Sequence, residues 1–321
     1  MTILDHDVPP RVMASEYAAT AHALEVVAEA GGYPVRAEDA MCAVRRCRSD
    51  ASGKTCFLDS DDVHAVGRHF DWLAAEPGLG LLTGVAGLGK TTVLRHLCDA
   101  LPAPEHKIIY ICDTAATPAA VYRNLAADLG LAPKHRRDAL WRQLKFEVRD
   151  LIDKQGIVPI LILDEAQHLG DDFLVDFSGF LNYAFDRQTL LTVWLCGLPS
   201  LRTRLELAHH KPLRDRIIAP KTLRPKTRDE LLAMLAHGMT VAGGDPKVFA
   251  EPALEVLYRA SRGIPHTASH LLRLALVHAH DRDRNFVDED TVLAACDELG
   301  LITPQQDQRQ DRRGSHAKSR S

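Results

Sequence analysis

The chain has 321 residues, 46% hydrophobic and 26% charged, with 39 Lys and Arg against 43 Asp and Glu for a formal net charge of -4. A length of this order supports two domains at roughly 150 residues each, and the composition excludes a fibrous or wholly disordered chain. The slightly acidic balance gives no overall footprint for nucleic acid, and no apolar run approaches the roughly 18 residues needed to span a bilayer.

Seven cysteines lie scattered behind a start that shows no charged-then-apolar leader, so a secreted disulfide framework is not expected and a reducing cytoplasm is. Residues 1–55 are expected to form a helical appendage. The stretches "SEYAATAHALEVVAEA" and "RAEDAMCAVRRC" carry helical periodicity and are separated by Gly31, Gly32 and Pro34. The appendage either packs on the next domain or docks a partner. Cys42, Cys47 and Cys56 sit closest together, but their gaps match no usual zinc pattern.

From residue 56 to residue 225 the pattern alternates. The runs "LGLLTG", "KIIYICD", "VPILILDEAQ" and "LLTVWLCG" are short and rich in Ile, Leu and Val, and helical segments such as "TPAAVYRNLAADLG" and "DALWRQLKFEVRDLI" lie between them. Short apolar strands alternating with helices predict an α/β domain with a parallel sheet covered on both faces. "RIIAPKTL" is a further short strand, at a sheet edge because Pro220 lacks a ladder donor. Residues 226–302 read as helices only, the first opening with Thr227 and Glu230 at capping-box spacing. Residues 303–321, polar and basic, cannot bury enough surface to order themselves and are expected to form a disordered tail.

The stretch "LLTGVAGLGKTTVL" carries the first chemistry. Gly84, Gly87, Gly89, Lys90 and Thr91 fit G-x-x-x-x-G-K-[ST] between a predicted strand and a predicted helix. Glycines let backbone N–H groups turn toward phosphate oxygens, and the helix adds its positive end. Lys90 supplies a point charge to the β- and γ-phosphates, Thr91 offers a hydroxyl to Mg²⁺, and Thr92 follows among the nucleotide-binding candidates. The second station is "PILILDEAQHL", where an apolar strand ends in Asp164 and Glu165. Asp164 can hold Mg²⁺ through water, and Glu165 can orient or deprotonate an attacking water. Two carboxylates after a strand could equally cap a helix; together with the phosphate loop they support hydrolysis.

A catalytic acid beside the magnesium ligand, with a helical bundle after the sheet, resembles the AAA+ ATPases. The order "FLDSDDVHAVGRHFDWL", "GLLTGVAGLGKTT", "LDEAQHL", "CGLPSLRTRL", "LRDRI" and "SRGIPHTASHLL" is similar to the ExeA/TniB group, which includes ATPases that assist DDE transposases, over roughly residues 55 to 300. The resemblance implies an AAA+ parallel-sheet P-loop domain followed by a small all-helical lid over the nucleotide, with ATP and Mg²⁺ as cofactors. It also implies that Arg214 or Arg216 reaches a neighbouring subunit's nucleotide; such a finger is worth about 10³ or more in rate. This chain departs from the group twice. Leu198 follows the strand-end glycine where the group places a polar sensor, and His266 replaces an arginine that touches phosphate. A neutral imidazole is a weaker phosphate partner than guanidinium, so slow hydrolysis and a nucleotide switch are expected.

The span from Arg202 to Arg228 holds nine Lys and Arg against two acids. It either lines a DNA path, since phosphate neutralisation needs clustered cations, or is a solvated charged segment. The expected function is an ATPase that forms a homo-oligomer, as ring or helical filament, on double-stranded DNA without strong sequence preference and recruits or activates a DDE transposase. The alternatives are an ExeA-like secretion-assembly ATPase and a non-hydrolysing nucleotide-gated scaffold. Secretion members of the group carry a membrane segment and a wall-binding region, and neither is expected here, nor is a membrane partner.

Overall fold

The computed structural model describes residues 60–112, 117–182, 189–241, 245–282, 284 and 286–301. The appendage expected over residues 1–55 and the tail expected over 303–321 lie outside the described residues. The chain divides into two units, one spanning Asp59–Arg224 and a second whose described part runs from residue 225 to residue 301.

The first unit is built on five parallel strands: β1 (Leu79–Thr83), β2 (His106–Ile111), β3 (Val158–Leu163), β4 (Thr192–Gly197) and β5 (Ile217–Thr222). Their order across the sheet is β2-β3-β4-β1-β5, and every pairing is parallel. The central strands β1 and β4 are buried at every residue, as strands covered on both faces must be. The outer strands β2 and β5 alternate between buried and exposed positions. Pro220 is tolerated because β5 is an edge strand that, among the described residues, pairs with β1 alone.

One face of the sheet is covered by α1 (Asp61–Ala75), which buries Val63, Val66, Phe70 and Leu73 at helical spacing. Phe70 stacks on Trp194 of β4 with ring centroids 5.8 Å apart. Gly80 makes room for that indole, since a Cβ there would stand 2.7 Å from Trp194 ring atoms. Thr192 fixes the helix end to the sheet by donating its hydroxyl to Leu73 O at 2.6 Å. On the opposite face, α3 (Pro118–Asp128), α4 (Arg137–Gln155) and α5 (Asp171–Phe180) share an aromatic cluster. Tyr122 lies 5.7 Å from Phe173 and 5.1 Å from Phe180, ring to ring, and Trp141 lies 5.7 Å from Phe180. Helix α2 (Lys90–Asp99) follows the glycine loop directly, and α6 (Pro199–Leu205) and α7 (Lys211–Arg214) lead from β4 to β5.

The second unit contains α8 (Arg228–Val241), α9 (Glu251–Ser261), α10 (Pro265–Asp281) and α11 (Glu289–Glu298), packed on Leu231, Leu257, Leu271 and Val292. Its first helix opens as the spacing predicts, with Glu230 accepting from Thr227 N–H at 2.7 Å. Gly263 has φ 72°, and a Cβ there would collide with the Lys226 carbonyl oxygen, so the glycine of "SRGIP" is dictated by a tight backbone crossing.

Candidate active site

In a parallel sheet all strands deliver their C-terminal ends to one edge, where ligands of such folds are held. Here Thr83 of β1 stands level with Gly197 of β4 and Thr222 of β5. The loop 84–89 leaves from that edge. Gly84 N–H donates to Gly197 O at 3.2 Å, which ties the loop's root to β4. A Cβ at Gly84 would approach Leu223 O to 3.2 Å and Leu88 Cδ1 to 3.3 Å, so the loop packs too closely for a larger residue. Gly87 and Gly89 take φ 81° and 87°, values open mainly to glycine, and Gly89 is the N-cap of α2.

Lys90 is buried, 6% exposed, and its Nζ donates to Gly84 O at 3.0 Å and Val85 O at 3.3 Å. The ammonium is therefore held inside the loop by main-chain acceptors. Thr91, one residue on, donates its hydroxyl to Asp164 Oδ2 at 2.6 Å. Thr92 is half-buried beneath Gly89. The structure thus brings Lys90, Thr91 and Asp164 together from segments more than seventy residues apart in sequence.

Asp164 leaves β3 with its own N–H donated to Ile111 O at 2.9 Å, which sets the carboxylate at the strand's end. It accepts from Thr91, from Tyr110 OH at 2.9 Å and from Glu165 N–H at 2.9 Å. Burial works against its charge, but these bonds and one from the Cys196 thiol outweigh it and hold the carboxyl below the ordinary carboxylate range. The neighbours respond in kind. Burial, and then the Asp164 charge, push the thiol of Cys196 upward, and burial followed by the bond to Asp164 pushes the phenol of Tyr110 upward.

A carboxyl with a lowered pKa in the fold stabilises the protein fully above the ordinary carboxylate pKa of about 3.9. That contribution is lost as pH falls through the lower folded value. The gap in urea midpoint between the wild type and Asp164→Asn should therefore be widest near neutrality and close as the pH is lowered through the acid range. A gap that does not change with pH would contradict the hydrogen-bonded carboxylate.

Glu165 is exposed and stands at φ 50°, in the left-handed region that non-glycine residues seldom occupy. Its Oε2 accepts from Gln167 Nε2 at 2.5 Å, and Gln167 Oε1 accepts from Leu198 N–H at 3.0 Å. Sequence reading assigned no role to Gln167, Tyr110 or Cys196. The signal available was position: Gln167 is two residues past Glu165, and Tyr110 and Cys196 lie near the ends of the strands that flank β3.

The remaining candidates lie on other segments. Arg214 ends α7, donates to Glu206 O at 3.3 Å and pairs with Asp215 at 3.5 Å; Arg216 immediately precedes β5, and both are half-buried. His266 is in the first turn of α10, in the helical unit, with its ring 4.2 Å from that of His270. Much of the basic span between Arg202 and Arg228 is engaged within the protein. Arg204 reaches Gln167 O, Leu169 O and Asp171; Lys211 pairs with Asp215, Arg224 with Asp62, and Arg228 with Glu251 and Glu255.

Among the described residues, Asp171, His209 and His210 also lie within ligand distance of one another. Asp171 Oδ1 is already bonded by Arg204 at 2.6 Å and by His210 Nε2 at 3.0 Å. Since a carboxylate only accepts, Nε2 carries the proton, and a cation there would force it onto the buried, unpartnered Nδ1. Thr91 and Asp164 offer the better donor set, hard oxygens beside a phosphate loop, as Mg²⁺ requires.

Residues 74–205 match the family model described as an AAA domain. The α/β unit thus carries a domain of the AAA type and has the AAA+ P-loop fold. The chain is 32% identical over 228 residues to the general secretion pathway protein A of Aeromonas hydrophila, an alignment covering 70% of this chain and 41% of that protein. It therefore spans about two fifths of that relative's length. Among solved structures, Cdc6p from Pyrobaculum aerophilum superposes with a TM-score of 0.58 at 17% identity, covering 74% of this chain and 65% of the other. The Orc1 protein of Aeropyrum pernix in complex with DNA gives 0.56 at 21%, covering 75% and 66%. The RuvB Holliday junction branch migration motor of Thermotoga maritima gives 0.51 at 18%, covering 76% and 70%. At these identities the AAA+ likeness carries the fold alone. Among the described residues no helix is long and apolar enough to cross a membrane.

Proposed function

We propose that this chain binds ATP with Mg²⁺, hydrolyses it slowly, and uses the nucleotide to control assembly of its own copies in a secretion pathway. The observation that carries the reading is the meeting of Thr91 and Asp164 at 2.6 Å beside the buried Lys90. In this reading Gly84 roots the loop through its bond to Gly197 O, the N–H groups that follow it, through Gly87 and Gly89 to Thr92, receive the phosphates, and Lys90 exchanges its main-chain acceptors for phosphate oxygens. Thr91 and Asp164 hold the magnesium, which supplies neutralisation of charge on the phosphates. Glu165 orients and deprotonates the attacking water. Arg214 or Arg216 serves a neighbouring copy's nucleotide, and His266 is the phosphate-contacting candidate that the family resemblance gives. Leu198 brings no polar side chain to the end of β4, which favours a switch over a fast motor.

The secretion setting rests on the identity to general secretion pathway protein A. A second reading, recruitment of a DDE transposase on double-stranded DNA, rests on the order of segments shared with the transposition-assisting ATPases, and the internal pairing of the basic span weighs against it. Phosphate release and sedimentation with ATP, with and without a short DNA duplex, test the two. We expect release that stops with EDTA, and ATP-dependent oligomers that form without DNA. Assembly that requires DNA and weakens steeply with salt would replace the secretion reading by the transposition one. Release no greater than that of Glu165→Gln would leave a nucleotide-gated scaffold and remove the hydrolase.

A further inference from the structure

The end of β4 lacks a polar side chain, because Leu198 stands where one is expected, yet the backbone there is joined to the acid of the adjacent strand. Leu198 N–H donates to Gln167 Oε1 at 3.0 Å, and the same amide group donates through Nε2 to Glu165 Oε2 at 2.5 Å. The chemistry assigns the amide unambiguously: a backbone N–H needs an acceptor, a carboxylate needs a donor, and only one orientation of Gln167 supplies both.

Everything around Gln167 restricts it. A Cβ on Gly197 would stand 2.6 Å from Gln167 Oε1 and 3.3 Å from Gln167 N, so the glycine before Leu198 leaves the space that the amide fills. Arg204 of α6 donates to Gln167 O at 2.8 Å and to Leu169 O at 2.7 Å, fixing the backbone on both sides of His168. Glu165 itself sits in a left-handed conformation that costs free energy unless its surroundings hold it.

We propose that Gln167 is the positioning residue of Glu165: its amide aims the carboxylate and ties that aim to the backbone end of β4, in place of the side chain that Leu198 cannot provide. The proposal rests on the hydrolase reading of Glu165 given above. A mount of this kind acts on the chemical step and leaves nucleotide affinity alone, because Gln167 touches neither Lys90 nor Thr91 through any of these bonds.

The test uses the full chain and compares wild type, Gln167→Leu, Gly197→Ala and the double variant. Gln167→Leu keeps the bulk and removes both polar atoms, and we expect kcat to fall about ten- to hundredfold, the scale of one hydrogen bond to a charged group. KM and the Kd of a fluorescent ATP analogue should stay within about threefold of wild type. Gly197→Ala displaces the amide from the other side and should reproduce the loss, with the double variant no slower than the slower single one. Amide exchange of the nucleotide-free chain gives a reading that does not depend on turnover: the Leu198 N–H should be protected in wild type and released in Gln167→Leu. A kcat loss under fivefold, a KM rise that matches the fall in kcat, or a Leu198 N–H unprotected in wild type would each overturn the inference. If wild type shows no Lys90-dependent hydrolysis, the hydrolase reading and the positioning role both fall, while Leu198 protection still reports whether the bridge itself exists.

Discussion

Replacing Lys90 by alanine is expected to abolish productive ATP binding, with Kd rising on the order of 10²- to 10⁴-fold. The ammonium already sits inside the loop at hydrogen-bond distance from Gly84 O and Val85 O, so no side-chain search precedes its contact with phosphate. Two charge-assisted hydrogen bonds at about 1.5–3 kcal/mol each give 3–6 kcal/mol, and about 1.4 kcal/mol corresponds to a factor of ten. The variant should fold with some loss of stability: water can replace the ammonium at the Val85 carbonyl, beside exposed Val85 and Ala86, whereas the buried Gly84 carbonyl loses its partner. Titration with a fluorescent ATP analogue, with circular dichroism as the folding control, checks it. Tight binding retained by Lys90→Ala would remove the nucleotide from the loop, and the hydrolase reading with it.

The sheet was legible because its signals are local. "LGLLTG", "VPILILDEAQ" and "LLTVWLCG" are continuous apolar runs, and a strand buried on both faces has no polar side to interrupt it; β1, β3 and β4 occupy those runs. Pro220 also marked β5 as an edge strand through a simple donor count. Helix α5 was harder to read. "DDFLVDFSGF" went unassigned although its buried Phe173, Leu174, Phe177 and Phe180 recur at helical spacing; what sequence does not show is that Phe173, Phe177 and Phe180 all enter one aromatic cluster with residues of other helices. Helix α1 was recognised only as a segment shared with a family, although its Val63, Val66, Phe70 and Leu73 spacing is helical.

The site divides in the same way. The phosphate loop is contiguous, so its residue types and spacing state their purpose, and the acid pair follows from the end of an apolar strand. Contacts that depend on which strands become neighbours have no such trace. Tyr110 reaches Asp164 because β2 pairs with β3 in the register that sets Ile111 beside Leu163, and Cys196 reaches it because β4 lies on β3's other side. The partners within the basic span are equally hidden in sequence: Arg204, Lys211, Arg224 and Arg228 each have an acid partner once the chain is folded.

Glu165→Gln is expected to keep ATP binding and to lower hydrolysis by about 10²- to 10⁴-fold, the range that a positioned general base contributes. The substitution is nearly isosteric and removes only the basic oxygen. Glu165 makes no bond to Lys90 or Thr91, whose partners are loop carbonyls and Asp164, so the phosphate contacts should survive. The variant does leave two amides facing each other, since Gln167 Nε2 needs an acceptor where the carboxylate stood; the new side chain meets this by presenting its oxygen, at the cost of turning its NH₂ toward the water it should deprotonate. ATP would then be bound and not consumed, so any nucleotide-dependent oligomer should persist rather than dissolve. Single-turnover phosphate release together with sedimentation in ATP measures both halves of the expectation. A variant that hydrolyses at the wild-type rate would show that the attacking water is activated elsewhere, and Glu165 would then be no more than the left-handed turn that carries β3 into the next helix.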